Sequence, residues 1–182
     1  MFRNPLFKYI TLLTLLLLGC SPQKDNFISK VYNNTTAHYN AYFIAKTKLA
    51  EVEDAIDKNN QNNFNEILNI FSTVDSSTIK SEHAQLEDVI RKASIAIQRH
   101  ANSKWVDDCF ILIGKARYYM ADFANAIATF KYVNTKSKDP AARHEALVEL
   151  MRTFIDDKED NNAIAVSDYL SHEKLNFENR NN

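Results

Sequence analysis

The sequence predicts an all-α fold in which antiparallel helix pairs stack as repeats. Its 182 residues are 45% hydrophobic but include only two glycines and three prolines. A β-rich fold is not expected, because hairpins and bulges depend on glycine. Apolar residues recur at alternating steps of three and four, which is the spacing of one helix face. The later helices also repeat at a constant offset of 37 residues, as stacked helix pairs do.

The first segment, residues 1–19, is predicted to be a lipoprotein signal peptide. Arg3 and Lys8 supply positive charge ahead of an apolar run from Tyr9 to Leu18. That run is shorter than the ~20 residues that span a bilayer, which favours a secretion signal over a transmembrane helix.

The apolar run ends at Leu17-Leu18-Gly19-Cys20, which resembles a bacterial lipobox. The resemblance implies cleavage before Cys20 and lipidation of that residue, which would attach the chain to a membrane; the alternative is an ordinary signal peptide with a chance cysteine. Because Ser21 rather than aspartate follows, bacterial sorting rules imply the periplasmic face of the outer membrane. Residues 20–35 are then expected to form a lipidated tether.

An N-terminal helical region is predicted over residues 36–102. Its first helix is expected from about Thr36 to Lys58, because one apolar stripe runs along that stretch. The stripe consists of Tyr42, Ala45, Leu49, Val52 and Ile56. A second, short helix is expected to hold Phe64, Ile67, Leu68 and Phe71. The Ser/Thr-rich stretch 72–78 reads as a loop.

Two helix pairs are predicted over residues 103–172, followed by a tail at 173–182. Val89-Ile90 recurs at Ala126-Ile127 and again at Ala163-Ile164, each time 37 residues later. The helix before each of the last two copies repeats at the same offset: Phe110, Ile113 and Gly114 correspond to Leu147, Leu150 and Met151. A constant offset across three copies indicates a repeat architecture.

The first helix pair resembles a tetratricopeptide repeat, because its apolar and small residues follow the order of that family and Pro140 closes the repeat. The resemblance implies small residues where the paired helices cross and large apolar residues between neighbouring pairs. The expected repeat core is Phe110, Ile113, Gly114, Tyr118, Ala126, Ile127, Phe130, Leu147, Leu150 and Ala163. The second pair departs from the pattern, since Met151 replaces the small residue and Ser167 replaces the large aromatic.

A narrower resemblance covers roughly residues 17–135. Its motifs are the lipobox, the run Asn33-Asn34-Thr35-Thr36-Ala37-His38-Tyr39-Asn40-Ala41-Tyr42-Phe43, Ile97-Gln98-Arg99-His100, and Trp105-Val106-Asp107-Asp108 leading into Ile113-Gly114-Lys115-Ala116-Arg117-Tyr118-Tyr119. Together they look like the start of the large tetratricopeptide lipoproteins of Bacteroidota that serve the type IX secretion and gliding-motility apparatus. Members of that family are far longer, so the chain is expected to be either an N-terminal fragment or a shortened paralogue.

These observations predict a lipid-anchored periplasmic scaffold that binds other proteins of a secretion or motility complex. Two alternatives stay open: an outer-membrane assembly lipoprotein with similar repeats, and a helical-repeat lipoprotein that captures glycans as nutrients. Exposed aromatic residues could contact a partner, the candidates being Tyr39, Tyr42 and Phe43, although helical spacing makes a core position the commoner outcome.

Catalysis, cofactors and nucleic acid are not expected. The formal charge is −1, and it falls to −3 without residues 1–19, which does not favour nucleic acid. One glycine in the mature chain cannot build a phosphate-binding loop, and no His/Cys spacing suits zinc. Glu149 is the only acid worth testing as a catalytic group, and its neighbours Val148 and Leu150 also suit an exposed helix face.

Three further polar or reactive features are expected to have structural roles only. Asp107-Asp108 is expected to stabilise a helix N-terminus, where carboxylates favour the helix dipole. The acidic run 156–160 lacks the glycine and spaced ligands of a calcium loop and is expected to be a solvated turn. Cys109 has no partner for a disulfide in the mature chain beyond the lipidated Cys20 and is expected to be a small core residue.

Overall fold

The computed structural model describes residues 26–59 and 76–173, and within these ranges it contains seven α-helices and no strand. The prediction of an all-α fold is therefore confirmed. The helices are α1 (Phe27–Ala37), α2 (Phe43–Asn59), α3 (Ser76–Arg99), α4 (Val106–Tyr119), α5 (Phe123–Lys136), α6 (Pro140–Asp156) and α7 (Asp160–Ser171).

The N-terminal part differs from the predicted single helix that starts near Thr36. Helix α1 already begins at Phe27, inside the segment predicted to be a tether, and the side chain of Asn26 caps it by accepting a 2.7 Å hydrogen bond from the Ser29 amide. A π-helical segment, His38–Tyr42, then leads into α2. Within it Asn40 leaves the helical region (φ −119°, ψ −109°), so the chain changes direction there.

Helix α2 buries the predicted apolar stripe, whose later members Ala45, Leu49, Val52 and Ile56 are all less than 5% exposed. The predicted short helix around Phe64 lies outside the described residues. The predicted loop 72–78 is only partly described, and its last three residues belong to the start of α3.

Consecutive helices from α2 to α7 pack against each other, and the first helices of successive pairs also meet. Thus α2 contacts α4, and α4 contacts α6. Only three residues separate α4 from α5, α5 from α6 and α6 from α7, so these neighbours must run antiparallel. The result is one layer formed by α2, α4 and α6, with α3, α5 and α7 as the second helix of each pair.

The turn inside each of the last two pairs has the same backbone conformation. Ala121 (φ 57°) and Lys158 (φ 64°) are the only non-glycine residues with positive φ in the described part of the chain. They are separated by the repeat offset of 37 residues. The two turns therefore share a backbone conformation at the offset that the side-chain pattern predicts.

Most of the expected repeat core is buried. The buried members are Ile113, Gly114, Tyr118, Ala126, Phe130, Leu147, Leu150 and Ala163. Two others, Phe110 and Ile127, are only partly buried and pack at the edge of the core. The ring of Phe110 lies 4.8 Å from that of Tyr132, which is half exposed.

Cys109 is a core residue, with 1% of its surface exposed. Burial raises the pKa of its thiol to about 12, which keeps the sulfur protonated and unreactive at neutral pH. Next to it, burial raises the pKa of Asp108, while the Asp107 carboxylate accepts a 2.6 Å hydrogen bond from the Ser137 hydroxyl. Asp107 therefore ties the first turn of α4 to the loop between α5 and α6.

Candidate functional site

The two asparagines of the N-terminal motif hold the loop between α3 and α4. The Asn34 carbonyl accepts a 3.1 Å hydrogen bond from the Trp105 indole, and its side-chain oxygen accepts a 2.8 Å bond from the Lys104 amide. The Asn33 side-chain oxygen lies 3.0 Å from Nδ1 of His100. Motifs that lie about 70 residues apart in the sequence are thus in direct contact.

An aromatic stack continues this contact into the core. The rings of Tyr42 and Trp105 stack with centroids 5.0 Å apart, and His38 packs 4.5 Å from Trp105. Tyr42 is only 5% exposed, so most of its side chain is covered by the protein itself. The other two aromatic candidates, Tyr39 (71% exposed) and Phe43 (54% exposed), do reach the surface.

A groove of about 320 Å³ lies between α2, α4 and α6. Its lining combines apolar side chains with charged ones from all three helices. The lining residues are Tyr42, Lys46, Leu49, Ala50, Glu53, Asp108, Ile111, Leu112, Lys115 and Glu145. The first helices of successive pairs supply all of them except Tyr42, which ends the π-helical segment before α2, so the groove follows the layer of α2, α4 and α6.

Lys115 links three helices at the base of the groove. Its ammonium lies 2.7 Å from the Glu53 carboxylate of α2 and 3.8 Å from the Glu149 carboxylate of α6. Burial alone would lower the pKa of Lys115, but the carboxylates of Glu149 and Glu53 outweigh it and raise that pKa. Burial raises the pKa of Glu149, whose side chain is only 14% exposed. The positive charge of Lys115 therefore compensates the buried Glu149 carboxylate of α6.

Two tyrosines and an arginine extend this polar network toward the end of α6. The Tyr119 hydroxyl donates a 3.0 Å hydrogen bond to Glu53, and Arg152 donates a 3.1 Å bond to the Tyr118 hydroxyl. Tyr118 in turn donates to Asp156. Burial raises the pKa of both tyrosines, so their hydroxyls stay protonated and act as donors. The network fixes the spacing of α2, α4 and α6 and hence the width of the groove.

Lys115 and Arg117 lie two residues apart on α4, but their side chains have different partners. Arg117 donates a 2.7 Å hydrogen bond to Thr129 within its own pair, whereas Lys115 connects pairs. A signal for the second role exists, because Lys115 and Arg152 are 37 residues apart and so occupy equivalent repeat positions. Glu149, considered as a catalytic acid, faces Lys115 rather than an apolar cleft.

A second, more open cavity of about 420 Å³ lies between α3, α4 and α5. Its walls include Ile97, Phe110, Thr129 and Tyr132. In the ranges 26–59 and 76–173 no cluster of three His, Cys, Asp or Glu side chains is placed to hold a metal ion. None of the described helices combines the length and the apolar character needed to cross a bilayer.

No protein-family model matches the chain, and none of the curated proteins matches it significantly.

Proposed function

We propose that this protein is a lipid-anchored periplasmic scaffold that binds a segment of another protein along the groove between α2, α4 and α6. The observation that carries the proposal is the groove itself, which the first helices of successive pairs form together. Stacked helix pairs use such a layer to take an extended segment or a helix. The groove is lined by three carboxylic acid and two lysine side chains beside apolar ones, which suits a polar peptide better than a lipid or a sterol.

The helix pairs are proposed to be tetratricopeptide repeats. Three findings support this: the close contact between Gly114 and Phe130, the matching turns at Ala121 and Lys158, and the layer of α2, α4 and α6. The contact between Gly114 and the ring that crosses it is the packing that the small residue of the repeat permits.

The complex that the scaffold joins is proposed to be the type IX secretion and gliding-motility apparatus, at the periplasmic face of the outer membrane. The support is the resemblance of several motifs and the fact that three of them lie together. Asn33 and Asn34 bind the loop that holds His100 and Trp105, and that loop leads into α4. A mutual dependence of this kind explains why the three motifs would occur together in one family.

Site-specific photo-crosslinking in cells tests the proposal. A photoreactive amino acid at Ala50, an exposed residue that lines the groove, is compared with the same amino acid at Ala124, an exposed residue of α5 outside both cavities. We expect position 50, and not position 124, to capture subunits of the secretion or motility apparatus.

Two results would overturn the proposal. Capture of barrel-assembly proteins or of glycan importers from position 50 would favour one of the two alternative lipoprotein classes. Equal capture from both positions would show that the groove is not the binding surface.

A further inference from the structure

Helix α1 turns its large apolar side chains away from the protein. Phe27 is 81% exposed, Ile28 77%, Tyr32 57% and Val31 50%. The residues that α1 buries are instead small or polar, namely Ser29, Asn33 and Ala37. A helix that folds against its own chain normally does the reverse.

The four apolar residues share one side of α1, because positions i, i+1, i+4 and i+5 of a helix lie next to each other. The polar side is fixed inward by hydrogen bonds: Asn33 Nδ2 donates to the Ser29 hydroxyl at 3.3 Å, and the Asn33 side-chain oxygen lies 3.0 Å from His100 Nδ1. The rotation of α1 about its axis is therefore set by the protein, and so is the outward direction of its apolar side.

The position of α1 in the sequence identifies what covers that side. Phe27 follows Cys20 by seven residues, and a fully extended chain spans at most ~3.6 Å per residue, or about 25 Å in all. If Cys20 carries the lipid, the first residue of α1 stays within that distance of the bilayer at all times. The apolar side of α1 is thus held beside a surface that accepts apolar side chains.

We infer that the side of α1 formed by Phe27, Ile28, Val31 and Tyr32 lies in the interfacial region of the membrane that holds Cys20. Helices with one apolar side bind at this level, and aromatic rings are enriched there. The inference rests on the lipid anchor of the proposed function. It adds that the lipid is not the only contact with the membrane, because α1 also fixes the orientation of the helical repeats relative to the membrane.

Tryptophan quenching in vesicles tests this contact. The full-length protein, purified in its lipidated form from the membrane fraction, is placed in vesicles of phosphatidylethanolamine and phosphatidylglycerol with or without brominated acyl chains. Phe27→Trp is compared with Ile164→Trp, since Ile164 on α7 is also exposed (65%) but far from Cys20 in the chain. The unsubstituted protein supplies the signal of Trp105, which is stacked on Tyr42.

We expect the brominated lipid to remove most of the emission added by Phe27→Trp and little of that added by Ile164→Trp. Equal quenching at both positions, or none at Phe27→Trp, would overturn the inference. Tyr32→Trp serves as a second probe of the same side if Phe27→Trp fails to fold. Protein that never enters the membrane fraction would instead contradict the anchor and the proposed function, so the two failures are distinct.

Discussion

The ring of Phe130 occupies the space in which a side chain at Gly114 would lie. A Cβ placed at Gly114 would meet Phe130 Cε1 at 2.4 Å, and Phe130 itself is fully buried. Glycine inside a helix costs about 1 kcal/mol relative to alanine, so this contact is the structural reason for keeping it.

Gly114→Ala is expected to lower the free energy of unfolding by about 1 to 3 kcal/mol, the usual cost of overpacking a core. Urea denaturation followed by circular dichroism measures the change. The control is Phe130→Leu, which shortens the opposing side chain: in that background Gly114→Ala should cost little or stabilise. An unchanged or higher stability of Gly114→Ala alone would show that α4 and α5 do not cross at this point.

Lys158→Gly is expected to stabilise the protein, because Lys158 has a left-handed backbone conformation. That conformation costs a side-chain-bearing residue about 1 to 2 kcal/mol, and glycine loses part of the gain through its greater freedom when unfolded, which leaves about 0.5 to 1 kcal/mol. Thermal melting tests this. Lys138→Gly, in a loop with ordinary φ, is the matched control and should destabilise or have no effect. A loss of stability for Lys158→Gly would contradict the turn geometry.

Lys115→Met is expected to destabilise the protein by about 1 to 3 kcal/mol at pH 7, because it removes the ammonium that lies 3.8 Å from the buried Glu149 carboxylate. Burial already raises the pKa of Glu149. A carboxyl whose pKa is higher in the folded state stabilises the fold below its unfolded pKa of about 4.5 and loses that contribution as the pH rises. The loss of unfolding free energy caused by Lys115→Met, called the deficit below, should therefore shrink as the pH falls from 7 toward 4.5.

Denaturation curves at several pH values provide the measurement for Lys115→Met. The double variant Lys115→Met/Glu149→Gln removes the titrating group, so most of the pH dependence of the deficit should disappear. A deficit that is equally large at both ends of this pH range would mean that Glu149 does not depend on Lys115.

Cys20→Ser is expected to move the protein from the membrane fraction to the soluble fraction. Acyl chains contribute about 0.8 kcal/mol for each buried CH₂ group, whereas one amphipathic helix alone binds reversibly. The contact proposed for α1 should therefore not survive washing once the lipid is lost. Fractionation after a high-salt wash decides the point, and persistent pelleting of folded Cys20→Ser would contradict the lipid anchor.

The sequence predicted those features that depend on local periodicity. The stripe from Ala45 to Ile56 and the 37-residue offset locate the helices of the array, because helical spacing and burial go together there. The predicted start of the first helix was wrong for a physical reason. Helix α1 exposes its large apolar residues and buries Ser29 and Asn33, so its sequence lacks the apolar spacing of a helix that packs on a core. The change of direction at Asn40 likewise has no periodic signature.

The groove could be predicted only in part. Apolar pattern placed Ile113 and Leu147 in the core, but it could not show that Glu53 and Glu149 converge on Lys115. Those partners lie 62 and 34 residues from it along the chain, and only the stacking of α2, α4 and α6 brings them together. The sequence could not decide whether Tyr42 is buried or exposed for the same reason, since the ring that covers it, Trp105, comes from another part of the chain.

Co-purification of a groove variant tests the central claim most directly. Ala50→Arg places a long charged side chain in the groove without replacing a buried residue, and Ala124→Arg does the same on α5, outside both cavities. Both variants are produced at equal abundance from the native locus, and the subunits of the secretion apparatus that co-purify with each are quantified. We expect Ala50→Arg to lose these subunits and Ala124→Arg to retain them. Retention by both variants, or loss by both, would contradict partner binding in the groove between α2, α4 and α6.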